Sequence, residues 1–236
     1  MSSNGLLKSS LFKKYFMALT GLFLCLFLVG HLLGNLQLFN ISSEGAEKFN
    51  LYAKFMTTNP LIKVLSYLTY ASVLFHVIDG FVLTLQNKKA RPVKYVVEKG
   101  SANSNWSSRN MALLGTILLV FIVTHMQNFW YVMHFGEVSE IIIGGEEVKD
   151  LHTVVMNFFN PAMNSYAIVM VGLYVFAMAA MGFHLQHGFS SAFQSLGFNH
   201  PTYTPIIENL GIGFCILTPS AFAVIPVFLY YSQIVN

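Results

Sequence analysis

Eight histidines are spread along the 236-residue chain, and four of them, His31, His76, His125 and His184, each fall in a separate stretch almost free of charge. An imidazole can donate and accept hydrogen bonds, carry a proton near neutral pH, or ligate a metal through a ring nitrogen. Inside lipid such a group is costly unless it does one of these things, so it is read first as functional. One such histidine alone is more often a satisfied core imidazole. Four on four different segments require a shared explanation. The residues for several other chemistries are missing: there is no His-Glu-x-x-His zinc helix, no Walker motif and no dinucleotide fingerprint. Cys25 and Cys215 lie far apart in apolar runs and read as core thiols, not as a disulfide framework or a Cys-rich metal site.

The elements that must position these imidazoles follow from composition. The chain is 55% hydrophobic and 10% charged, with a mean hydropathy of +0.58, against about one-quarter charged residues in a soluble domain. That excludes a soluble monomer and a disordered chain. A formal charge of +3 is too small for electrostatic nucleic-acid binding. Runs without Asp, Glu, Lys or Arg cover 15–43, 64–87 (Asp79 excepted), 110–136, 151–207 and 209–236. A bilayer span needs about 20 residues. The fourth run is assigned one span because Asn199-His200-Pro201-Thr202-Tyr203-Thr204-Pro205 is rich in helix breakers and polar groups.

The expectation is an all-α integral membrane protein, a single membrane domain over 1–236, with five transmembrane helices at roughly 12–38, 61–86, 110–133, 162–188 and 206–232. Asn59-Pro60, Asn160-Pro161 and Thr204-Pro205 should open three of them. Pro219 and Pro226 should kink the fifth. Trp106, Trp130, Tyr131, Tyr230 and Tyr231 lie near span ends, as an interfacial belt requires. The 11 Met and 22 Phe are scattered and read as packing and lipid-facing residues. The first span is too long for a signal peptide, and no small-residue cleavage site follows it.

Charge sets the orientation. Lys8, Lys13 and Lys14 precede the first span, and Lys88, Lys89, Arg91, Lys94, Lys99 and Arg109 follow the second. On the opposite side, Glu137, Glu140, Glu146, Glu147 and Asp150 surround a single Lys149. The positive-inside rule then puts the N-terminus inside and the C-terminus outside.

With that topology the histidines sort by depth. His31 and His125 lie roughly 28 and 22 Å along outward-running spans, and His76 and His184 roughly 22 and 33 Å along inward-running ones, at 1.5 Å per residue. The result is two pairs, each drawn from two helices and stacked across the membrane. A haem iron held between two facing imidazoles needs this arrangement, and filling both axial positions suits it to carrying electrons. The first four helices would then form a bundle around two stacked b-type haems, bound non-covalently because no Cys-x-x-Cys-His occurs.

Other residues near the pairs have competing readings. His187, three residues after His184 on the same helix face, is an alternative ligand. His184 is preferred because it lies deeper, which leaves His187 to bond a haem propionate. Asp79 is either part of a proton relay or propionate network or a simple buried hydrogen bond. Gly30, Gly34, Gly80, Gly182 and Gly188 would admit a flat macrocycle, though glycine also serves plain helix packing. His134, His152 and His200 fall in loops and read as solvated.

The pattern resembles the dihaem cytochrome b membrane anchor of succinate:quinone oxidoreductases, the bacterial succinate dehydrogenase and fumarate reductase complexes. The resemblance covers essentially the whole chain. It is carried by Thr20-Gly21-Leu22-Phe23-Leu24 leading to Gly30-His31, by Phe75-His76 with Gly80, by Thr124-His125, and by Phe183-His184-Leu185-Gln186-His187-Gly188 followed by Ser191-Ala192-Phe193-Gln194-Ser195-Leu196-Gly197.

It implies an inner haem on His76 and His184, an outer haem on His31 and His125, and a bacterial cytoplasmic membrane location. It also implies partners on the cytoplasmic side, a FAD-containing flavoprotein and an iron-sulfur protein, and electron exchange with a quinone, taken as menaquinone. Some members use an acidic residue at the outer quinone site; Glu44 and Glu47 give no clear match. Arg109 is either a haem-propionate partner, since a guanidinium pairs well with a carboxylate, or an ordinary interfacial anchor.

Two rivals stand beside this reading. The cytochrome b of quinol:cytochrome c reductases places two ligands about 13 to 14 residues apart on one helix, and no span here holds such a pair. A non-redox proton-coupled transporter using intramembrane histidines would show a broken or duplicated helix pattern.

Overall fold

The computed structural model describes residues 9–90 and 104–235. Lys8, Arg91, Lys94 and Lys99, used above for orientation, lie outside the described residues. Five helices are long and apolar enough to cross a membrane: Leu11–Phe39, Pro60–Lys89, Met111–Phe135, Ala167–Ser195 and Thr204–Val235. They carry large apolar side chains outward along their length, with Leu26 69% and Leu217 71% exposed. Apolar surface on that scale, on helices long enough to span a bilayer, is what a lipid environment requires. The chain is an all-α integral membrane protein.

The first span is α1 (Ser10–Asn35), tightened at its end into a 3-10 turn, Leu36–Phe39. An amphipathic helix, α2 (Ser43–Thr58), follows, and then the second span, α3 (Pro60–Lys89). The third span is α4 (Met111–His125), which passes into a π-helical turn, Met126–Tyr131, and a last helical turn, Val132–Phe135. Strands β1 (Glu140–Ile143) and β2 (Glu146–Lys149) form an antiparallel hairpin that pairs Ile141 with Val148. A short helix, α5 (Leu151–Phe158), precedes the fourth span, α6 (Ala167–Ser195), and the fifth, α7 (Thr204–Val235).

Local signals account for most of these ends. Asn59 caps α3, its Oδ1 accepting from the N–H groups of Leu61 at 3.0 Å and Ile62 at 3.3 Å. Ser42 caps α2 by accepting from Gly45 N at 3.2 Å. Asn160-Pro161 behaves differently from its expectation. Asn160 Oδ1 accepts from Ala162 N, the chain turns over 161–163, and Asn164 Oδ1 accepts from Tyr166 N at 3.0 Å in a second turn just before the helix. The fourth span therefore starts at Ala167, five residues later than expected, and ends at Ser195, seven later.

Its end is set by Gly197, whose φ of +87° closes the helix while Phe198 N bonds Phe193 O at 3.0 Å. The expected fifth span is one helix, and its Pro219 and Pro226 leave the carbonyls of Cys215 and Phe222 without the usual helical donor.

Two compact units make up the structure. The first is drawn from Met1–Phe27, Leu68–Leu118 and Ala180–Leu217, the second from Leu28–Tyr67, Leu119–Ala179 and Thr218–Asn236. The second has a core of Leu38, Phe159, Val171, Ile225 and Leu229, with Leu229 fully buried.

A polar hub lies beside it. Asn50 of α2, also fully buried, donates to Asp150 Oδ1 at 2.9 Å and accepts from His152 N at 2.8 Å. Asp150 in turn caps α5 by accepting from Thr153 N. These bonds tie α2 to α5. His152 is consequently a buried residue of α5, 7% exposed, and not the solvated loop histidine its sequence position suggested. His134 and His200 are exposed, as expected, but His134 lies in the helical turn Val132–Phe135 and not in a loop.

Candidate functional site

Each unit contains one pair of histidine rings. In the first, His76 of α3 and His184 of α6 have ring centres 6.2 Å apart with planes at 66°. In the second, His31 of α1 and His125 of α4 have ring centres 5.9 Å apart with planes at 89°. The partners are those that depth along the helices selects. His187 makes no ring contact among the described residues, so His184 is the ring that meets His76.

The spacing bears on chemistry. Two imidazoles sharing one metal in line, with metal–nitrogen bonds of about 2 Å and about 1.1 Å from ring centre to nitrogen, stand about 6 Å apart. Among the described residues no group of three or more His, Cys, Asp or Glu comes together to hold a metal. A bare zinc ion takes four ligands, whereas a haem iron asks the protein for two. The ring-centre separations of 6.2 and 5.9 Å match that distance, with two imidazoles at each place.

The surroundings orient the rings. In the first unit Thr20 Oγ1, on α1, lies 3.2 Å from His76 Nδ1. A Cβ added at Gly21 would stand 3.2 Å from His76 Cε1, so the absence of a side chain there lets α1 approach the ring. His184 Nδ1 is buried and has no hydrogen-bond partner among the described residues. Asp79, one turn beyond His76, also has a buried oxygen, Oδ2, without a partner among the described residues.

In the second unit an aromatic box surrounds the pair. Phe222 lies 5.6 Å from the His31 ring, and Phe121 and Phe129 lie 5.5 and 5.3 Å from that of His125. Tyr174 Oη is 3.4 Å from His125 Nδ1. The α-helix gives way to the π turn immediately after His125. Such bulges re-aim side chains and occur often at functional sites.

The remaining expected residues are less engaged. Arg109, in the single helical turn Trp106–Arg109, is exposed and donates through Nη1 to the Ser104 carbonyl. His187 is partly buried one turn beyond His184. Gly30 and Gly188 adjoin open space, whereas Gly34 accommodates the ring of Tyr52 from α2, a plain packing role. Sequence reasoning did not find Thr20 and Tyr174 as histidine partners, because a hydroxyl among apolar residues carries no signal of which neighbouring helix it faces.

The fold and site thus define a class: a polytopic helical membrane protein with a close imidazole pair, contributed by two helices, in each of two units. In comparisons with known proteins, no family model, no curated protein and no solved structure matches the chain.

Proposed function

We propose that the chain is the dihaem cytochrome b membrane anchor of a succinate:quinone oxidoreductase, carrying electrons between an iron-sulfur partner and a quinone, menaquinone by resemblance. The observation that carries this reading is the pair of ring separations, 6.2 and 5.9 Å, each between histidines of two different spans.

In this reading His76 and His184 hold one b-type haem, and His31 and His125 hold the other. A haem held by such a histidine pair would supply one-electron transfer. The chain's own residues supply the rest. Phe121, Phe129 and Phe222 exclude water around the second pair, and burial with hydrogen bonds to the ring nitrogens tunes the ligands. Arg109 and His187 are the residues that would pair with haem propionates, by charge and by hydrogen bonding.

The basic side, inside by the positive-inside rule, docks the iron-sulfur protein and, through it, a FAD-containing flavoprotein. The membrane is the bacterial cytoplasmic membrane, with the C-terminus outside.

Reduced-minus-oxidised spectra of the purified chain test the proposal: two bis-histidine b-type haems per chain are expected, together with co-purification of a flavoprotein and an iron-sulfur protein. Replacing either member of a pair with alanine should remove one haem and leave the other. A colourless chain, or four alanine variants with unchanged spectra, would overturn the assignment and favour a proton-relaying transporter.

A further inference from the structure

Thr20 is among the few polar residues buried in the first unit, at 7% exposed. Its Oγ1 lies 2.9 Å from Phe16 O, 3.1 Å from Met17 O and 3.2 Å from His76 Nδ1. Carbonyl oxygens only accept, so the single hydroxyl proton is directed back along α1, as buried helical threonines commonly do. The hydroxyl oxygen is then left with lone pairs facing His76.

An acceptor opposite Nδ1 requires a proton on Nδ1, and a neutral imidazole protonated there has its lone pair on Nε2. Gly21 completes the ledge by clearing space for the ring edge at 3.2 Å. Among the described residues the facing His184 has no counterpart to Thr20, its Nδ1 being buried without a partner there. One ring of this pair is thus pinned from outside and the other is not.

We propose that Thr20 is a positioning residue for His76, holding the imidazole as its Nδ1–H tautomer so that Nε2 is the nitrogen presented for ligation. What Nε2 ligates rests on the haem reading above. The tautomer itself does not.

The test uses the full-length chain in lipid with 15N-labelled histidine, the His76 signals being identified by their loss in H76Q. Haem-free wild-type chain and T20S should show His76 protonated on Nδ1, and T20V should shift it toward the Nε2-protonated form. In haem-loaded chain, T20V should weaken retention of one of the two haems by about 10–100-fold, the usual effect of removing a ligand's hydrogen-bond partner. It should raise that haem's midpoint potential and leave the other haem unchanged, with T20S restoring both properties.

A His76 protonated on Nε2 in the wild-type chain, or a T20V chain identical to wild type in tautomer and haem retention, overturns the role of Thr20. The haem assignment would survive that result. A wild-type chain that takes up no haem ends the proposed function, and the nitrogen signals still decide on Thr20.

Discussion

His184 and His187 show what a single residue can and cannot reveal. Both lie on one face of α6, and only contact with His76 separates them. We expect H187A to retain two haems and H184A to retain one, read from haem content per chain. Depth made the four ligand candidates legible, because a helix advances by a fixed rise and position in sequence becomes position across the membrane. Rotation about the helix axis has no such ruler once the flanking residues are all apolar. Thr20 beside His76 and Tyr174 beside His125 were therefore invisible until the helices were packed.

At the scale of elements, the long apolar runs announced the five spans, while α2, α5 and the hairpin between spans three and four were not anticipated. The hairpin did carry a signal. Gly144 and Gly145, at φ +60° and +86°, form the tight turn that two positive-φ residues favour, with apolar Ile141 and Val148 facing each other across it.

The hub that joins α2 to α5 can be tested directly. N50A removes a fully buried side chain whose two bonds serve Asp150 and the His152 backbone, and should cost about 1–3 kcal/mol. The expected readout is faster hydrogen exchange in α2 and α5. G45A should be at least as damaging, at about 1–3 kcal/mol or more. Its Cβ would sit 2.0 Å from the Asn40 carbonyl oxygen, which is backbone and cannot swing away.

The same hub is sensitive to acid. Burial holds the His152 imidazole below its usual value. Burial also acts to raise Asp150, but hydrogen bonds from Thr153 and Asn50, together with the His152 charge, outweigh it and hold the carboxyl below the usual range. In both cases the unfolded segment binds protons more readily. The His152 contribution is complete above the ordinary histidine value of about 6.5 and declines as pH falls through the lower folded value; the Asp150 contribution follows below about 4. Hydrogen exchange in α5 should accordingly quicken as pH falls below neutrality, after correction for intrinsic rates, and H152F should remove the earlier of the two phases.

For the whole molecule, the exposed apolar faces of five helices establish a lipid environment, and the proposed orientation can be measured on intact cells or sealed vesicles. In a chain with Cys25 and Cys215 replaced by alanine, a cysteine at Lys89 should react only with reagent on the cytoplasmic side, and one at Glu147 only with reagent outside. The reverse pattern would place the basic side outward and remove the docking surface assigned to the iron-sulfur partner.

From sequence alone came the membrane class, the number of spans and the four histidines at depth, because the cost of charge in lipid and the rise of a helix act on each segment separately. Tertiary packing alone decided that His76 meets His184 and not His187, that Thr20 and Tyr174 approach ring nitrogens, and that His152 is buried against α2. Those outcomes depend on how neighbouring helices are rotated and how closely their backbones approach, which the interlocking of side chains from distant segments determines jointly.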